Sequence, residues 1–273
     1  MSEDMITSGA RLTAFAIAAH PDDIEFMMAG TLLQLHKAGA AIHMWNLANG
    51  SCGTTVYDKV DIIRLRGQEA QDSAREAGAV LHPPIADDLD LYYEPRLVAR
   101  VAAVIRQVRP DILLLPSPQD YMEDHSNTCR LAVTGAFVRG MRNFATDPPV
   151  EPWPGEVVLY HALPHGLRDG LRRLVRPGHY VDIGGVLERK RSMLAQHRTQ
   201  RDWLDASQGM GSYLHEMEQM ARLVGRMSGR FELAEGWRRH SNLGFAAADA
   251  DPLSRALGPA CYIDAQYELS LES

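Results

Sequence analysis

Short apolar runs alternate with longer amphipathic segments through the first half of the chain. Residues 15–18, 41–47, 80–81 and 111–116 read as strands, and the last is a near-continuous apolar run typical of a strand covered on both faces. Residues 95–108 carry apolar side chains at helical spacing between Pro95 and Pro110. This alternation predicts an α/β fold, Rossmann-like and doubly wound, with a mostly parallel sheet and helices on both faces.

Polar residues follow the first of these strands directly. His20, Asp22 and Asp23 surround Pro21, which fixes its own φ and favours an extended His20, so the strand should end there. Residues 24–37 then show helical spacing. His20 and Asp23 are metal-ligand types, and Asp22 between them could face another way and act as a base. The ordinary alternative is that these residues cap a helix.

A second polar cluster, residues 119–127, follows the strand at 111–116 and opens another helix. If the strand order is the common 3-2-1-4-5, the first and fourth strands are neighbours and their loops face each other. His125 should then meet His20 and Asp23, although about a hundred residues separate them. Three such ligands with an open fourth position suit a catalytic zinc, whereas a structural zinc is usually closed by four ligands.

Further histidines follow a fifth predicted strand over residues 156–161. His161 and His165 come at its end, so either could reach a substrate, although exposed loop histidines are common. The glycine-containing loop at 49–53 is explained by turn chemistry or by close approach to a ligand.

The composition changes beyond this point, which predicts an α/β catalytic domain over 1–183 and a helical C-terminal extension over 184–273, or one single domain. Residues 186–197 suggest a solvated basic helix face, and 237–242 a polar loop. Residues 213–227 carry an apolar stripe suited to packing against the core or against another subunit, so a homo-oligomer is left open. Residues 260–263 could add an edge strand.

Charge and composition narrow the partners. A net charge of −7 argues against nucleic acid, and no apolar run approaches the ~20 residues of a membrane span. Three scattered cysteines and no secretory signal predict a cytoplasmic protein. The first strand lacks a G-x-G-x-x-G sequence, which disfavours dinucleotide binding. A small molecule is the expected partner.

Together these motifs resemble the PIG-L/LmbE-like family of zinc-dependent N-deacetylases. The likeness rests on the sequence from Ala19 to Asp23, on Asp124-His125 opening a helix, and on Arg66 and Glu69 in a helix that ends at Gly78. It covers roughly residues 12–165. Members of this family remove N-acyl groups, typically acetyl, from glucosamine-containing conjugates.

The resemblance implies roles for individual residues. His20, Asp23 and His125 would bind Zn²⁺, with another divalent metal as the alternative, and Asp22 would be the general base that activates water. Arg66 could help at the rim of the site as a catalytic residue, or form a surface salt bridge with Glu69.

The second motif departs from the family pattern, because Met122 stands where a histidine commonly serves as acid or electrostatic stabiliser. A thioether cannot donate a proton. Three explanations are open: another residue supplies the acid that Met122 cannot, Asp22 moves the proton in both directions, or the activity is weak. The candidates for substitution are His161, His165, His240 and Tyr121, of which His165 is slightly favoured. Tyr121, Asp124 and His161 are the predicted substrate-binding residues. The alternative to an enzyme is a non-catalytic metal- or sugar-binding relative.

Overall fold

The sheet at the centre of the molecule has eight strands among the residues that the computed structural model describes, 11–208 and 213–271. The strands are β1 (Thr13–Ala18), β2 (Ala41–Asn46), β3 (Val80–His82), β4 (Ile112–Leu115), β5 (Val158–Ala162), β6 (His179–Asp182), β7 (Ala234–Arg239) and β8 (Cys261–Ile263).

The strand order is β3-β2-β1-β4-β5-β7-β6-β8. The first five strands are parallel, in the expected 3-2-1-4-5 order, and the last three add to the β5 edge by antiparallel pairing. The predicted mixed, mostly parallel fold class is confirmed. The order reverses between β1 and β4, so the loops after these two strands lie side by side.

Ten α-helices connect or flank these strands within the described ranges. They are α1 (Asp23–Met27), α2 (Ala29–Lys37), α3 (Lys59–Ala77), α4 (Pro95–Val108), α5 (Glu123–Phe137), α6 (Leu187–Ala195), α7 (Arg198–Gln208), α8 (Tyr213–Ser228), α9 (Pro252–Leu257) and α10 (Ala265–Ser270). The single helix predicted over 24–37 is instead two, because Met28 leaves helical geometry with φ −132°. None of the helices within these ranges has the length and apolar character that crossing a membrane requires.

The core lies on both faces of the sheet. Alternate residues of β1 point in opposite directions, so Ala14 and Ala16 pack with Leu32 on one face, while Phe15 packs with Leu97 on the other. This double coverage explains why the strands of the parallel half read as apolar runs.

The C-terminal region contains the predicted helices and, in addition, two strands of the central sheet. Residues 237–242, expected as a polar loop, begin within β7, which pairs with β5 on one side and β6 on the other. Residues 261–263 do form the edge strand β8. A boundary at residue 184 therefore falls between strands of one sheet.

Helices α6 and α8 also contribute interior side chains. The stripe on α8 is core, since Tyr213, Met217 and Met220 are buried with Phe26. Lys190 of α6 is 1% exposed, and its Nζ donates to Glu235 Oε1 at 2.6 Å. The predicted solvated face is thus wrong for Lys190.

Glu235 lies on β7 and ties this region to the start of α2. Its carboxylate accepts the backbone N–H groups of Gly30 and Thr31 at 2.8 and 2.7 Å. These are N–H groups that a helix start leaves without intrahelical partners. The buried carboxylate is therefore matched both by the Lys190 ammonium and by the helix N-terminus.

Candidate metal centre

Three side chains from the ends of two neighbouring strands converge at one edge of the sheet. His20 follows β1, Asp23 begins α1, and His125 lies in the first turn of α5, after β4. One potential ligand atom from each lies within 4.8 Å of the others. His125 thus meets the first motif across about a hundred residues of sequence, as strand order predicts.

The turn between β1 and α1 sets the direction of each side chain. Asp22 has φ +112°, an unusual value for a residue with a Cβ. This conformation places Asp22 and Asp23 differently although they are adjacent. The Oδ2 atom of Asp23 accepts the backbone N–H of His20 at 2.7 Å, which fixes that carboxylate next to the imidazole.

Two further carboxylates orient the imidazole rings. Nε2 of His20 lies 2.9 Å from Oδ2 of Asp124, and Nδ1 of His125 lies 3.2 Å from Oδ1 of Asp120. The other ring nitrogens face Asp23: Nδ1 of His20 is 3.6 Å and Nε2 of His125 is 3.3 Å from its Oδ2 atom. Carboxylate–histidine pairs of this kind commonly hold metal-binding imidazoles in place.

The donor set fits a divalent metal. Nε2 of His125 is buried and has no hydrogen-bond partner, which is costly unless something else binds it. Two imidazole nitrogens and one carboxylate oxygen are ligands that zinc accepts, and three protein ligands leave a position free for substrate or water. These residues are thus suited to hold such an ion.

Electrostatics in the absence of an ion are consistent with this set. Burial alone would lower the pKa of His20, but hydrogen bonds with Asp124 and Asp23 outweigh it and raise the pKa to about 9. Burial would raise the pKa of Asp23, but the neighbouring His125 and His20 hold it well below its ordinary value. Protons on the imidazole nitrogens would therefore compete with a divalent ion for this position.

Asp22 faces a different set of partners. Tyr213 of α8 donates a hydrogen bond to its Oδ2 atom, and Nη2 of Arg66 lies 3.6 Å from its Oδ1 atom. Burial raises the pKa of Asp22 to about 6, against the opposing effect of Arg66. A carboxylate in this environment has the basicity of a useful general base.

Arg66 is buried rather than exposed at the rim, at 2% exposure. Its Nη2 donates to the carbonyl of Pro21 at 2.6 Å and its Nη1 to that of Gly50 at 3.4 Å. A Cβ at Gly50 would overlap the Arg66 side chain, so this glycine makes room for the arginine. The alternative of a surface salt bridge with Glu69 is wrong, because Glu69 instead accepts hydrogen bonds from Thr199.

A cavity of about 250 Å³ opens beside these groups. His165, Tyr121 and Met122 line it together with the three ligand-type residues. The His165 ring packs edge-on against Phe26, and burial lowers its pKa, so the imidazole is neutral near pH 7. Burial also raises the pKa of Tyr121 to about 12, which keeps its hydroxyl protonated. Both side chains can therefore donate a hydrogen bond.

Other predicted residues lie outside this cavity. Asp124 is buried behind His20, and its Oδ2 atom also accepts the backbone N–H of Leu89 at 2.7 Å. Nδ1 of His161 lies 3.0 Å from the carbonyl of Pro116, and Nε2 lies 2.9 Å from Nδ1 of His240. The geometry gives Asp124 an orienting position instead of a substrate contact, and turns His161 away from the cavity.

Two site residues were missed at the sequence level. Asp120 lies five positions before His125, but nothing in the sequence distinguishes it from other loop carboxylates. Tyr213 contacts Asp22 from 191 positions away in the chain. Only the packing of α8 against α1 and α7 could identify it.

Known proteins are similar to this chain in sequence. Residues 15–136 match the family model of PIG-L, described as GlcNAc-PI de-N-acetylase. Diacetylchitobiose deacetylase of Thermococcus kodakarensis is 28% identical over 191 residues, which cover 67% of this chain and 68% of that protein.

Solved structures agree in fold. N,N'-diacetylchitobiose deacetylase from Pyrococcus horikoshii has a TM-score of 0.70 at 22% identity, covering 88% of each chain. The 4-carboxy-2-hydroxymuconate hydratase GalB from Pseudomonas putida KT2440 has a TM-score of 0.67 at 22% identity, covering 88% of this chain and 99% of that one. Residues 15–136 therefore carry a match to the PIG-L family, and diacetylchitobiose deacetylase is a homologue of this chain.

Proposed function

We propose that this protein is a metal-dependent amide hydrolase that removes an N-acyl group, most simply N-acetyl, from a glucosamine-containing or similar sugar conjugate. The observation that carries the proposal is the convergence of His20, Asp23 and His125 within 4.8 Å, with a buried Nε2 of His125 that faces Asp23 without a well-formed hydrogen bond. The PIG-L match and the curated deacetylase relative supply the reaction class.

His20, Asp23 and His125 would hold the metal, for which we propose zinc. A divalent ion at this position supplies Lewis acidity toward the amide carbonyl and makes water more acidic. Asp120 and Asp124 keep the two imidazoles aimed at Asp23. Their own positions are fixed by backbone donors, with Met122 donating to Asp120 and Leu89 to Asp124.

Asp22 takes the proton of the attacking water. The water oxygen then bonds to the acyl carbon, the carbon–nitrogen bond breaks, and Asp22 returns the proton to the leaving amine. Tyr213 and Arg66 hold the carboxylate of Asp22 beside the cavity. His165, and Tyr121 with it, can donate a hydrogen bond to the oxyanion, a role that Met122 cannot fill.

The proposal is tested by the metal content of the purified chain and by acetate release from N-acetylglucosamine and N,N'-diacetylchitobiose. We expect about one zinc per chain and turnover of at least one substrate. His125→Ala should lose both, whereas His36→Gln, which changes a histidine of α2, should lose neither. Asp22→Asn should keep the metal and lose ~10²–10⁴ in kcat. Full activity in Asp22→Asn, or in the metal-free chain, would exclude this mechanism.

A non-catalytic, metal- or sugar-binding protein is the second candidate, favoured by the thioether of Met122 in the cavity wall. Saturable binding of N-acetylglucosamine without acetate release, unchanged by Met122→His, would select it. The fold itself does not decide between chemistries, since GalB, a hydratase, has a similar one.

A further inference from the structure

A second groove, of about 480 Å³, lies beside the end of β7 and is rich in positive charge. Its charged and polar lining, here named the Arg238 groove, includes Arg130, Arg238, Arg239, His240 and Ser241. No carboxylate is found among the described residues that line it, although the chain as a whole has a net charge of −7. Such a local excess of positive charge attracts anions.

Arg238 is the central group of the groove. Its Nη1 donates to Oε1 of Gln119 at 2.8 Å and its Nη2 to Oγ of Ser117 at 3.1 Å, so both partners are neutral. Its Nε is buried without a hydrogen-bond partner, and no carboxylate lies within ion-pair distance among the described residues. Burial lowers the pKa of Arg238, which reflects incomplete compensation of its charge.

A second unpaired arginine lies across the groove. Arg130, on α5, packs its guanidinium over the Tyr93 ring at 4.5 Å and has no carboxylate partner in the described part of the chain. Hydroxyl groups of Tyr93 and Thr134 also line this side. Of the three arginines that line the groove, Arg239 alone has a carboxylate partner among the described residues, its Nη2 atom lying 3.7 Å from Oε2 of Glu268. Two guanidinium groups without a carboxylate partner present the planar donor geometry that phosphate oxygens accept, and the hydroxyls of Tyr93 and Thr134, 3.1 Å apart, lie beside them.

We propose that the Arg238 groove is a binding site for the phosphate group of a small molecule. The volume is in the range of small-ligand sites, and the ligand's charge would complete the pairing that Arg238 and Arg130 lack. The phosphate could be a substituent on the sugar substrate or a free oxyanion. The binding itself does not depend on the proposed deacetylation.

The groove is connected to the candidate metal centre by one loop. Arg238 donates hydrogen bonds to Ser117 and Gln119. Ser117 also lines the cavity beside the candidate metal centre, and Asp120, which follows Gln119, orients His125. Residues of the loop 116–122 therefore line both sites. This placement allows one phosphorylated ligand, or two separate ligands, to contact the same loop.

Calorimetric titration with inorganic phosphate and with N-acetylglucosamine 6-phosphate tests the inference on the purified chain. Both should bind saturably, and Arg130→Gln and Arg238→Met should each raise the Kd at least tenfold. Arg130 is exposed, so its variant keeps the test valid if Arg238→Met fails to fold. Arg142→Gln, at an exposed arginine outside the groove, is the matched control and should leave the Kd unchanged.

Comparison of the probes identifies the source of the phosphate. The ligand is a phosphorylated sugar if the sugar phosphate binds more than tenfold tighter than both inorganic phosphate and N-acetylglucosamine. This preference should then be lost in Arg130→Gln. Equal affinity for the two phosphates, still sensitive to Arg130, assigns a free oxyanion. Absence of saturable binding overturns the inference. Equal phosphate affinity in Arg130→Gln, Arg238→Met and Arg142→Gln also overturns the inference, since it indicates an adventitious ion only. Neither result bears on acetate release, which tests the proposed function separately.

Discussion

At the scale of single residues, the feature that most defines the site is the carboxylate behind each imidazole of the candidate metal centre. Asp124 and Asp120 are 2.9 and 3.2 Å from the nitrogens of His20 and His125 that point away from Asp23. Asp124 and Asp120, which are not themselves candidate ligands, therefore determine which nitrogen of each ring faces Asp23. The sequence motif contains Asp124, but its neighbour Glu123 is exposed and serves no such role.

We predict that Asp124→Asn weakens zinc binding by about 10–100-fold, because an amide orients the imidazole of His20 less strongly than a carboxylate does and raises its basicity less. Competition with a chromogenic chelator measures the affinity. Glu123→Gln, one residue away, is the control and should bind zinc as the unmodified chain does. Equal affinities in the two variants would contradict the orienting role.

The missing histidine at position 122 gives a second prediction at this scale. His165→Ala should lower kcat by roughly 10²–10³ with little change in metal content, because the neutral imidazole is, with Tyr121, one of the two donors that we propose for the oxyanion. Met122→Leu changes a neighbouring wall residue at nearly constant volume and should change kcat less than tenfold. If Met122→Leu loses more kcat than His165→Ala does, His165 is not the hydrogen-bond donor to the oxyanion.

At the scale of secondary structure, Asp251 joins two strands to the start of α9. Its carboxylate accepts from Oη of Tyr160 on β5 at 2.6 Å and from Nε2 of His179 on β6 at 2.9 Å. It also accepts the backbone N–H of Ser254 as the N-cap of α9. Burial would raise the pKa of Asp251, but the hydrogen bonds from His179 and Tyr160 outweigh it and hold the pKa well below its ordinary value.

This arrangement predicts a pH-dependent contribution to stability. Because the pKa is lower in the fold than in the unfolded chain, the contribution is fully present above about pH 4 and is lost as the pH falls through the folded value. Asp251→Asn should therefore cost roughly 1–3 kcal/mol of unfolding free energy at pH 7, and less near pH 3.

Urea unfolding at the two pH values measures this difference. Asp249→Asn, at an exposed aspartate two residues before, is the matched control and should change the unfolding free energy by less than about 0.5 kcal/mol. A loss for Asp251→Asn that is the same at both pH values would show that ionisation is not the cause.

At the scale of the whole molecule, the C-terminal third completes the sheet. β6 pairs only with β7 and β8 among the described strands, and both of these come after residue 184. Tyr213, which holds Asp22, and the Lys190–Glu235 pair at the start of α2 come from the same region. The chain before residue 184 therefore lacks both neighbours for its sixth strand and a partner for its proposed base.

We predict that residues 1–183 alone do not unfold cooperatively, because β5 and β6 are left with unpaired edges and the core face covered by α6 and α8 is exposed to water. Calorimetry and thermal circular dichroism measure this. A chain ending at residue 263 keeps all eight strands and should retain a cooperative transition. A cooperative transition for 1–183 would support two independent domains instead.

Much of this molecule could be read from local patterns. The five parallel strands, the helix over 95–108 and the pairing of His125 with the His20 motif followed from apolar runs, prolines and the rule that strand ends share an edge. These features rest on interactions of fixed geometry along the chain, so periodicity and spacing suffice. The ligand-type residues were among them because they follow strands directly.

What the tertiary structure alone decided involves groups brought together by packing. The strand β7 has charged residues at its end and reads as a loop, since an antiparallel strand near the sheet edge needs no continuous apolar run. Lys190 and Arg66 look like surface charges, yet burial beside Glu235 and Asp22 gives them partners that no spacing predicts. Asp120 and Tyr213 likewise enter the site because a side chain's role depends on its neighbours in space, and the sequence lists its neighbours only along the chain.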